Sequence, residues 1–412
     1  MKIAIIAIGT RGDIQPSVAL AVELKKNNVD VFVATFKEYE QLVISNNIIF
    51  KEIPNNPANR FSQKKKSNEV PQKFYDYLKS WLKESLKICS DSDAIINTPP
   101  FLVGMHLAEK LKVPFFPIIF EPIIKTNEFP TPHQPIRNSK SKIFNKFSYS
   151  FTDGLFWLRM RRKINKLRND ILGLPSLSFK NPYKKMVKQK VPYLACFSKI
   201  LVPKPKDWYD EIQVEGYWFL KSDTEEFGSK KLNEFLSAGE PPIFIDFGSF
   251  SNKRILKQVN YIMQDLNKSN ERVLIDAGDF NLESIKIPEK SFLLKEKISH
   301  EWLLPKVKAL IMHSGVGVTH AALRAGIPSI PIPIIGNQYF WAEKLYKLGV
   351  STKPIKIKKL KEGDLLRELN FLNNNNNNIK QNLVKLQREM KAEKGSEKTA
   401  EFISSYLKKY YS

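Results

Sequence analysis

The chain has 412 residues, long enough for two domains of ordinary size, each with its own core. A hydrophobic content of 42% and a charged content of 26% are those of a globular protein, and no apolar run approaches the roughly 18 residues of a membrane span. The net charge of +24 suits an anionic partner, either nucleic acid or an anionic membrane surface. No zinc-ligand spacing, RNA-binding aromatic pattern or basic heptad accompanies that charge, so no nucleic acid partner is expected. Cys89 and Cys196 make neither a disulfide framework nor a metal site. The N-terminal IAIIAIG is not followed by a cleavage pattern, and a cytoplasmic protein is expected, with membrane association through the basic surface.

Residues 2–9 read as a strand buried on both faces, and Thr10-Arg11-Gly12-Asp13 as the loop after it. Val18, Leu20, Ala21 and Leu24 then give the apolar face of a helix, with Pro16 welcome in its first turn. Residues 30–36 are the next strand, so the chain opens with a β-α-β unit. Gly9 and Gly12 alone fall short of G-x-G-x-x-G, which removes the nicotinamide and flavin fingerprint. Asp13 reads as a turn or N-cap aspartate, or as a carboxylate held at the carboxyl edge of the sheet.

Residues 55–70 are polar and read as a mobile loop. Phe74, Tyr77, Leu78, Trp81, Leu82 and Leu86 recur at helical spacing, as a core stripe or an acceptor pocket would. Strands at 93–97 and 114–120 flank a helix at 103–111, and a proline-punctuated loop carrying Phe129 follows. Over residues 140–168, Phe144, Phe147, Phe151, Leu155, Phe156 and Leu158 interleave with lysines and arginines. Such a helix suits an interfacial membrane contact, and equally an ordinary helix with one solvated side. Residues 221–240 are charged, as a linker with a short helix should be. IFIDFGSF then restarts the pattern as a strand ending in Gly248-Ser249, with further strands at 272–277 and 291–294. The run 373–378 reads as a disordered loop tip. Helices at 381–391 and 397–408 follow, the latter with Phe402, Ile403 and Leu407 as its buried face.

Residues 309–350 organise the whole. A strand at 309–312 leads to the turn His313-Ser314-Gly315-Val316-Gly317, a helix at 318–325 closed by Gly326, a strand at 327–333 and a helix at 338–348. This is the doubly wound α/β pattern, whose ligands sit at strand carboxyl ends. The turn leaves backbone N–H groups at a helix N-terminus, where an anion such as a diphosphate is favoured. His313 reads either as a donor to the same oxygens or as a structural hydrogen-bonder.

HSGVGVTHAALRAGIPSIPIPIIGNQYFWAEKLYKLGV resembles the donor-sugar signature of GT-B glycosyltransferases, in the branch of sterol 3-β-glucosyltransferases and antibiotic glycosyltransferases. GTRGDIQPSVALAVELKKNNVDVFVAT is similar to the N-terminal β-α-β unit of that branch, GYWFL to its domain-closing segment, and KISHEWLLP to the segment before its His-Gly turn. The resemblance implies an α/β fold of two facing Rossmann-like domains, with a C-terminal helix crossing back to the first. An acceptor domain is then expected at residues 1–222, a nucleotide-sugar domain at 223–395 and the crossing helix at 396–412.

The same resemblance implies an inverting, metal-independent hexosyl transfer from a UDP-sugar to a hydroxyl of a lipophilic acceptor such as a sterol or polyketide. Asp13 would be the catalytic base. Thr10, Arg11, Gly248, Ser249, His313, Gly315, Gly317, Val318 and Thr319 would lie near the diphosphate. Ile298, His300 and Trp302 would frame the uracil, Asn337 and Gln338 would bind the sugar, and Phe129 would border the acceptor. The expected partners are the nucleotide sugar, the acceptor and an anionic membrane surface, with no cofactor and no obligatory protein partner. Two departures stand out. The branch has Gly-Asp-Gln where this chain has Gly336-Asn337-Gln338, which leaves glucose, N-acetylglucosamine, a deoxysugar or another hexose open. Val318 also replaces a usual small polar residue. A GT-B sugar-nucleotide epimerase or a catalytically silent binding homologue is the alternative.

Overall fold

The computed structural model describes residues 1–56, 70–100, 102–133, 139–221, 228–246, 248, 255–276, 285–295 and 298–412. Most of the expected loop at 55–70, residues 222–227 of the linker, and Ser249 lie outside the described residues. The chain divides into two compact units, Met1–Lys221 with Lys394–Ser412, and Ser222–Glu393.

In the first unit β1 (Lys2–Ile6), β2 (Asp30–Thr35), β3 (Ile49–Glu52), β4 (Ala94–Asn97), β5 (Phe115–Ile119), β6 (Leu194–Ala195) and β7 (Gln213–Val214) form a parallel sheet. Its order is β3-β2-β1-β4-β5-β6-β7. Ile3, Ala4, Ile5 and Ile6 are fully buried, as a central strand covered on both faces requires. The helices are α1 (Arg11–Lys26), α2 (Glu40–Ile44), α3 (Val70–Ile88), α4 (Leu102–Leu111), α5 (Lys142–Leu167) and α6 (Pro182–Lys188). Leu78, Trp81 and Leu82 of α3 are buried, with Trp81 Nε1 donating to the Pro54 carbonyl, so this aromatic stripe is core.

In the second unit β8 (Ile243–Asp246), β9 (Val273–Asp276), β10 (Ser291–Leu293), β11 (Ala309–Met312) and β12 (Ser329–Pro331) form a parallel sheet in the order β10-β9-β8-β11-β12. Around it lie α7 (Lys230–Ser237), α8 (Leu256–Ser269), α9 (His300–Leu303), α10 (Val316–Ala325), α11 (Gln338–Lys347), α12 (Asp364–Asn374) and α13 (Asn376–Ala392). Helix α10 starts two residues earlier than its apolar spacing suggests and ends at Gly326 in the left-handed region. The asparagine run is not a loop tip. It spans the end of α12 and the start of α13, and Asn375 Nδ2 donates to the Phe371 carbonyl at their junction.

The last helix, α14 (Gly395–Tyr411), belongs to the first unit and packs against α1. Ile403 and Leu407 are fully buried, and Tyr406 meets Phe116 of β5 edge-on at 5.3 Å. Gly395 is required there because a Cβ would lie 2.6 Å from the Gly216 backbone.

In each sheet the order reverses once, between β1 and β4 and between β8 and β11. Those reversal points are where an open α/β sheet opens a crevice at its carboxyl edge.

Candidate active site

At the reversal point of the second unit, Asp246 ends β8 opposite Met312 of β11. Beyond these strand ends Gly248 and His313 meet. A Cβ on Gly248 would lie 2.6 Å from His313 Cε1, and one on Gly315 would lie 2.5 Å from Nε2. The imidazole is thus clasped between two glycines, with Nε2 against the start of α10. Its Nδ1 lies 3.4 Å from the Asp246 carbonyl and 3.9 Å from the carboxylate. Asp246 is buried, accepts from the Gly248 N–H at 2.6 Å and lies 3.5 Å from His300 Nε2. One carboxylate therefore ties together the glycine turn and two histidines.

Ser314 adopts φ +61°, a region that a non-glycine residue enters only at a cost of order 1–3 kcal/mol. Its hydroxyl is buried without a hydrogen-bond partner among the described residues. Gly315 is the N-cap of α10 and has no side chain to close the helix mouth. The first helical bond is Thr319 N–H to Gly315 O, at 3.0 Å, so the N–H groups of Val316, Gly317 and Val318 precede it. A helix mouth with such donors and a histidine beside it is built to receive an anion.

At the reversal point of the first unit Asp13 sits in the first turn of α1. Its Oδ2 accepts from the Thr10 N–H at 2.7 Å and the Thr10 hydroxyl at 3.0 Å. Gly9 makes the room: a Cβ there would lie 2.3 Å from Oδ2. Burial pushes the Asp13 carboxyl up to about 6, the Thr10 bonds oppose it, and the nearby Glu121 charge adds to the rise. Burial, Glu38 and Asp13 in turn push the Tyr39 phenol up to about 12. Glu121 follows β5 and carries His133 Nε2 on Oε1 at 3.2 Å, while its Oε2 is buried without a partner among the described residues. Asp13 therefore combines the N3 place of a capping box, with Thr10 as the N-cap, and a perturbed titration.

Two family models match the chain: the glycosyltransferase family 28 N-terminal domain over residues 3–130, and UDP-glucoronosyl and UDP-glucosyl transferase over residues 220–393. A sterol 3-beta-glucosyltransferase of Arabidopsis thaliana is 30% identical over 413 residues, covering 96% of this chain and 64% of that protein. A sterol 3-beta-glucosyltransferase of Cryptococcus neoformans is 31% identical, covering 85% of this chain and 24% of that protein. The chain thus spans less than two thirds of the length of these relatives. Among solved structures, the glycotransferase of kitacinnamycin superposes with a TM-score of 0.71 at 16% identity, over 98% of each chain. The calicheamicin glycosyltransferase CalG4 gives 0.67 at 15%, also over 98% of each.

The chain has the GT-B glycosyltransferase fold.

Within this fold the expected site residues are distributed unevenly. Thr10 and Asp13 are joined directly, as above, while Arg11 is half-buried and donates from Nε to Gln15. Gly248, His313 and Gly315 form one contact, and Gly317 lies half-buried in the first turn of α10. Val318 and Thr319 depart from expectation. Both side chains are buried, because a helix that begins at Val316 turns them toward the core. Thr319 N–H is also committed to Gly315 O, so only the backbone of Val318 is left at the mouth.

Ile298, His300 and Trp302 are half-buried at α9, and His300 reaches Asp246. Trp302 carries Lys306 Nζ over its ring at 4.0 Å. Gln338 Oε1 accepts from the Ile334 and Ile335 N–H groups at 2.8 and 3.0 Å, leaving its amide NH2 as the group to give to a ligand. Asn337 is half-buried at the start of α11. Phe129 is half-buried in the loop after β5, which Asp207 fastens by accepting from the Thr126 hydroxyl and the Asn127 N–H. Asp246, Ser314, Glu121 and His133 escape sequence reading. Asp246 alone left a local signal, a carboxylate within an otherwise apolar strand.

Proposed function

We propose that this chain is an inverting, metal-independent glycosyltransferase that moves a hexose from a UDP-sugar to a hydroxyl of a lipophilic acceptor. The observation that carries the reading is the pair of reversal-point sites, one a carboxylate with a raised pKa and the other an anion-receiving helix mouth with a histidine. The first suits a proton acceptor and the second a leaving diphosphate. The sterol 3-beta-glucosyltransferases among the relatives support a lipophilic acceptor.

Asp13 takes the proton from the acceptor hydroxyl. The oxygen attacks the anomeric carbon from the face opposite the diphosphate, and the bond from that carbon to the phosphate oxygen breaks. Configuration at the carbon is inverted by that single displacement. A pKa near 6 keeps Asp13 mostly ionised at neutral pH while making it a stronger base than an ordinary carboxylate. Charge grows on the leaving diphosphate, where Val316, Gly317 and Val318 N–H groups and His313 oppose it in fixed positions. These donors supply the stabilisation that a divalent ion gives elsewhere, so no metal is required. The amide of Gln338 and the side chain of Asn337 hold sugar hydroxyls, and Ile298, His300 and Trp302 border the base.

Calorimetric titration with UDP, UDP-glucose and UDP-N-acetylglucosamine, repeated in EDTA, tests the donor half. Binding with one sugar preferred and no effect of EDTA is expected. No binding to any of the three would remove the uridine assignment. Proton NMR of the product from an α-linked donor and a sterol tests the rest. A β-glycoside supports the reading, whereas conversion of the donor sugar without acceptor would favour an epimerase.

A further inference from the structure

Helix α5 is turned the opposite way from an ordinary surface helix. Its outward stripe is apolar: Ile143 is 84% exposed, Leu158 69%, Phe147 59% and Phe151 53%, with Leu155 also exposed. At about 100° of rotation per residue these five side chains fall within an arc of about 120°, the width of a single face. Phe147 and Phe151 stack on each other at 5.9 Å along it. Leaving such a face in water forfeits burial at five adjacent large side chains, and contiguous apolar surface of this kind marks a contact site.

The charge around the stripe identifies what it meets. Over Lys142–Leu167 the helix carries seven basic residues and one acidic residue, Asp153. Exposed Lys142 and Lys146 border the stripe on one side, exposed Arg159 and Lys166 border it on the other, and exposed Arg162 closes its C-terminal end. The adjoining α6, which meets α5 through the Phe156–Tyr183 ring contact, adds exposed Lys184, Lys185 and Lys188. An apolar stripe between two basic rims matches an anionic bilayer surface, whose acyl region takes the stripe and whose headgroups take the rims. An ordinary protein partner would have to be both apolar and strongly acidic.

The inward side of α5 is rigidly fastened. Asn145 Nδ2 donates to the Asn127 carbonyl, Ser148 Oγ accepts from the Thr131 N–H, and the Tyr149 hydroxyl donates to the Pro122 carbonyl. The loop so held is the one that carries Glu121, Phe129 and His133. No described helix is long and apolar enough to cross a membrane, so contact through α5 is peripheral.

We propose that the outward face of α5 inserts into the headgroup region of anionic membranes, through Ile143, Phe147, Phe151, Leu155 and Leu158. This goes beyond the reaction proposed above and does not depend on it. The test is co-sedimentation of the full chain with phosphatidylcholine vesicles, with and without phosphatidylserine, at low and high salt. Binding at least tenfold stronger to the anionic vesicles, weakened by salt, is expected. The triple variant Phe147→Ser, Phe151→Ser, Leu158→Ser and, separately, Lys142→Glu with Arg162→Glu should each lose at least tenfold of that binding. Their melting temperatures and UDP titrations should match wild type, because these side chains are exposed. Equal binding to neutral and anionic vesicles, or unchanged binding by the triple variant, would overturn the proposal. So would a wild-type dimer in sedimentation velocity that the triple variant converts to monomer, which would assign the stripe to a second copy of the chain.

Discussion

Gly248 and His313 occupy one space: the missing side chain of the first is where the imidazole of the second lies, 2.6 Å from Cε1 to the position of an added Cβ. Gly248 also has φ +63°, so a side chain there is strained as well as blocked. Gly248→Ala should therefore displace His313 and weaken UDP binding by about tenfold or more, the loss of one charge-assisted hydrogen bond. His313→Ala should weaken binding and turnover together. Calorimetry with UDP checks both, and a Gly248→Ala protein that binds as wild type would show that the ring position is unimportant.

Asp13 sets a pH dependence whose sign is fixed. As the proposed base Asp13 has to be ionised, and burial pushes its carboxyl up to about 6, so kcat/KM should rise through about pH 6 and level off above it. Glu121 raises the Asp13 value, so Glu121→Gln should move that acid limb to lower pH. A limb that stays in place would detach Glu121 from the titration.

The same shift bears on stability. The Asp13 value is raised from 3.8 in the unfolded range to about 6 when folded, so its ionised form is disfavoured in the native state. The stability tied to the protonated form is present below pH 3.8 and lost as pH rises through 6. Asp13→Asn removes that loss, and its carbonyl can still accept from the Thr10 N–H. Its melting temperature at pH 7.5 should equal or exceed that of wild type, by scanning calorimetry.

Much of the architecture was legible from periodicity. Apolar runs such as residues 2–8, followed by glycine turns and helices, gave the two doubly wound sheets, and Gly326 correctly closed α10. What failed depended on helix phase and on distant partners. The resemblance placed Val318 and Thr319 at the diphosphate, and a motif match does not report helix phase: the helix starts at Val316, Thr319 N–H is bonded to Gly315 O, and both side chains are buried. The asparagine run was misjudged because composition ignores the capping that Asn375 provides. Asp246 and Glu121 act through neighbours remote in sequence, His313 at 67 residues and Asp13 beyond a hundred, which local patterns do not report. The basic residues of α5 were legible, but which face they bordered was not.

Arg168, just after α5, is buried and fixes the end of that helix to α4. Its guanidinium donates to both oxygens of Glu109, at 2.6 and 3.0 Å, to the Pro175 carbonyl at 2.9 Å, and lies 2.9 Å from His106 Nδ1. Burial, with Arg168 adding to it, pushes the His106 imidazole down to about 3, so it stays neutral. Arg168→Ala should destabilise the first unit by about 1–3 kcal/mol, from the hydrogen bonds lost by a buried guanidinium, since the partner Glu109 is itself exposed. Urea unfolding checks this, and a change below the usual surface range would mean that Glu109 and His106 relax into solvent.

The most direct test of the central claim is turnover of Asp13→Asn against its affinity for UDP-sugar. Acceptor-dependent UDP release is measured beside calorimetric titration of the same preparation. The assignment of Asp13 as base predicts release lowered by at least a hundredfold, as expected on removing a general base, with the donor affinity unchanged. Turnover equal to wild type would contradict it, and the proton would then have to leave through another group.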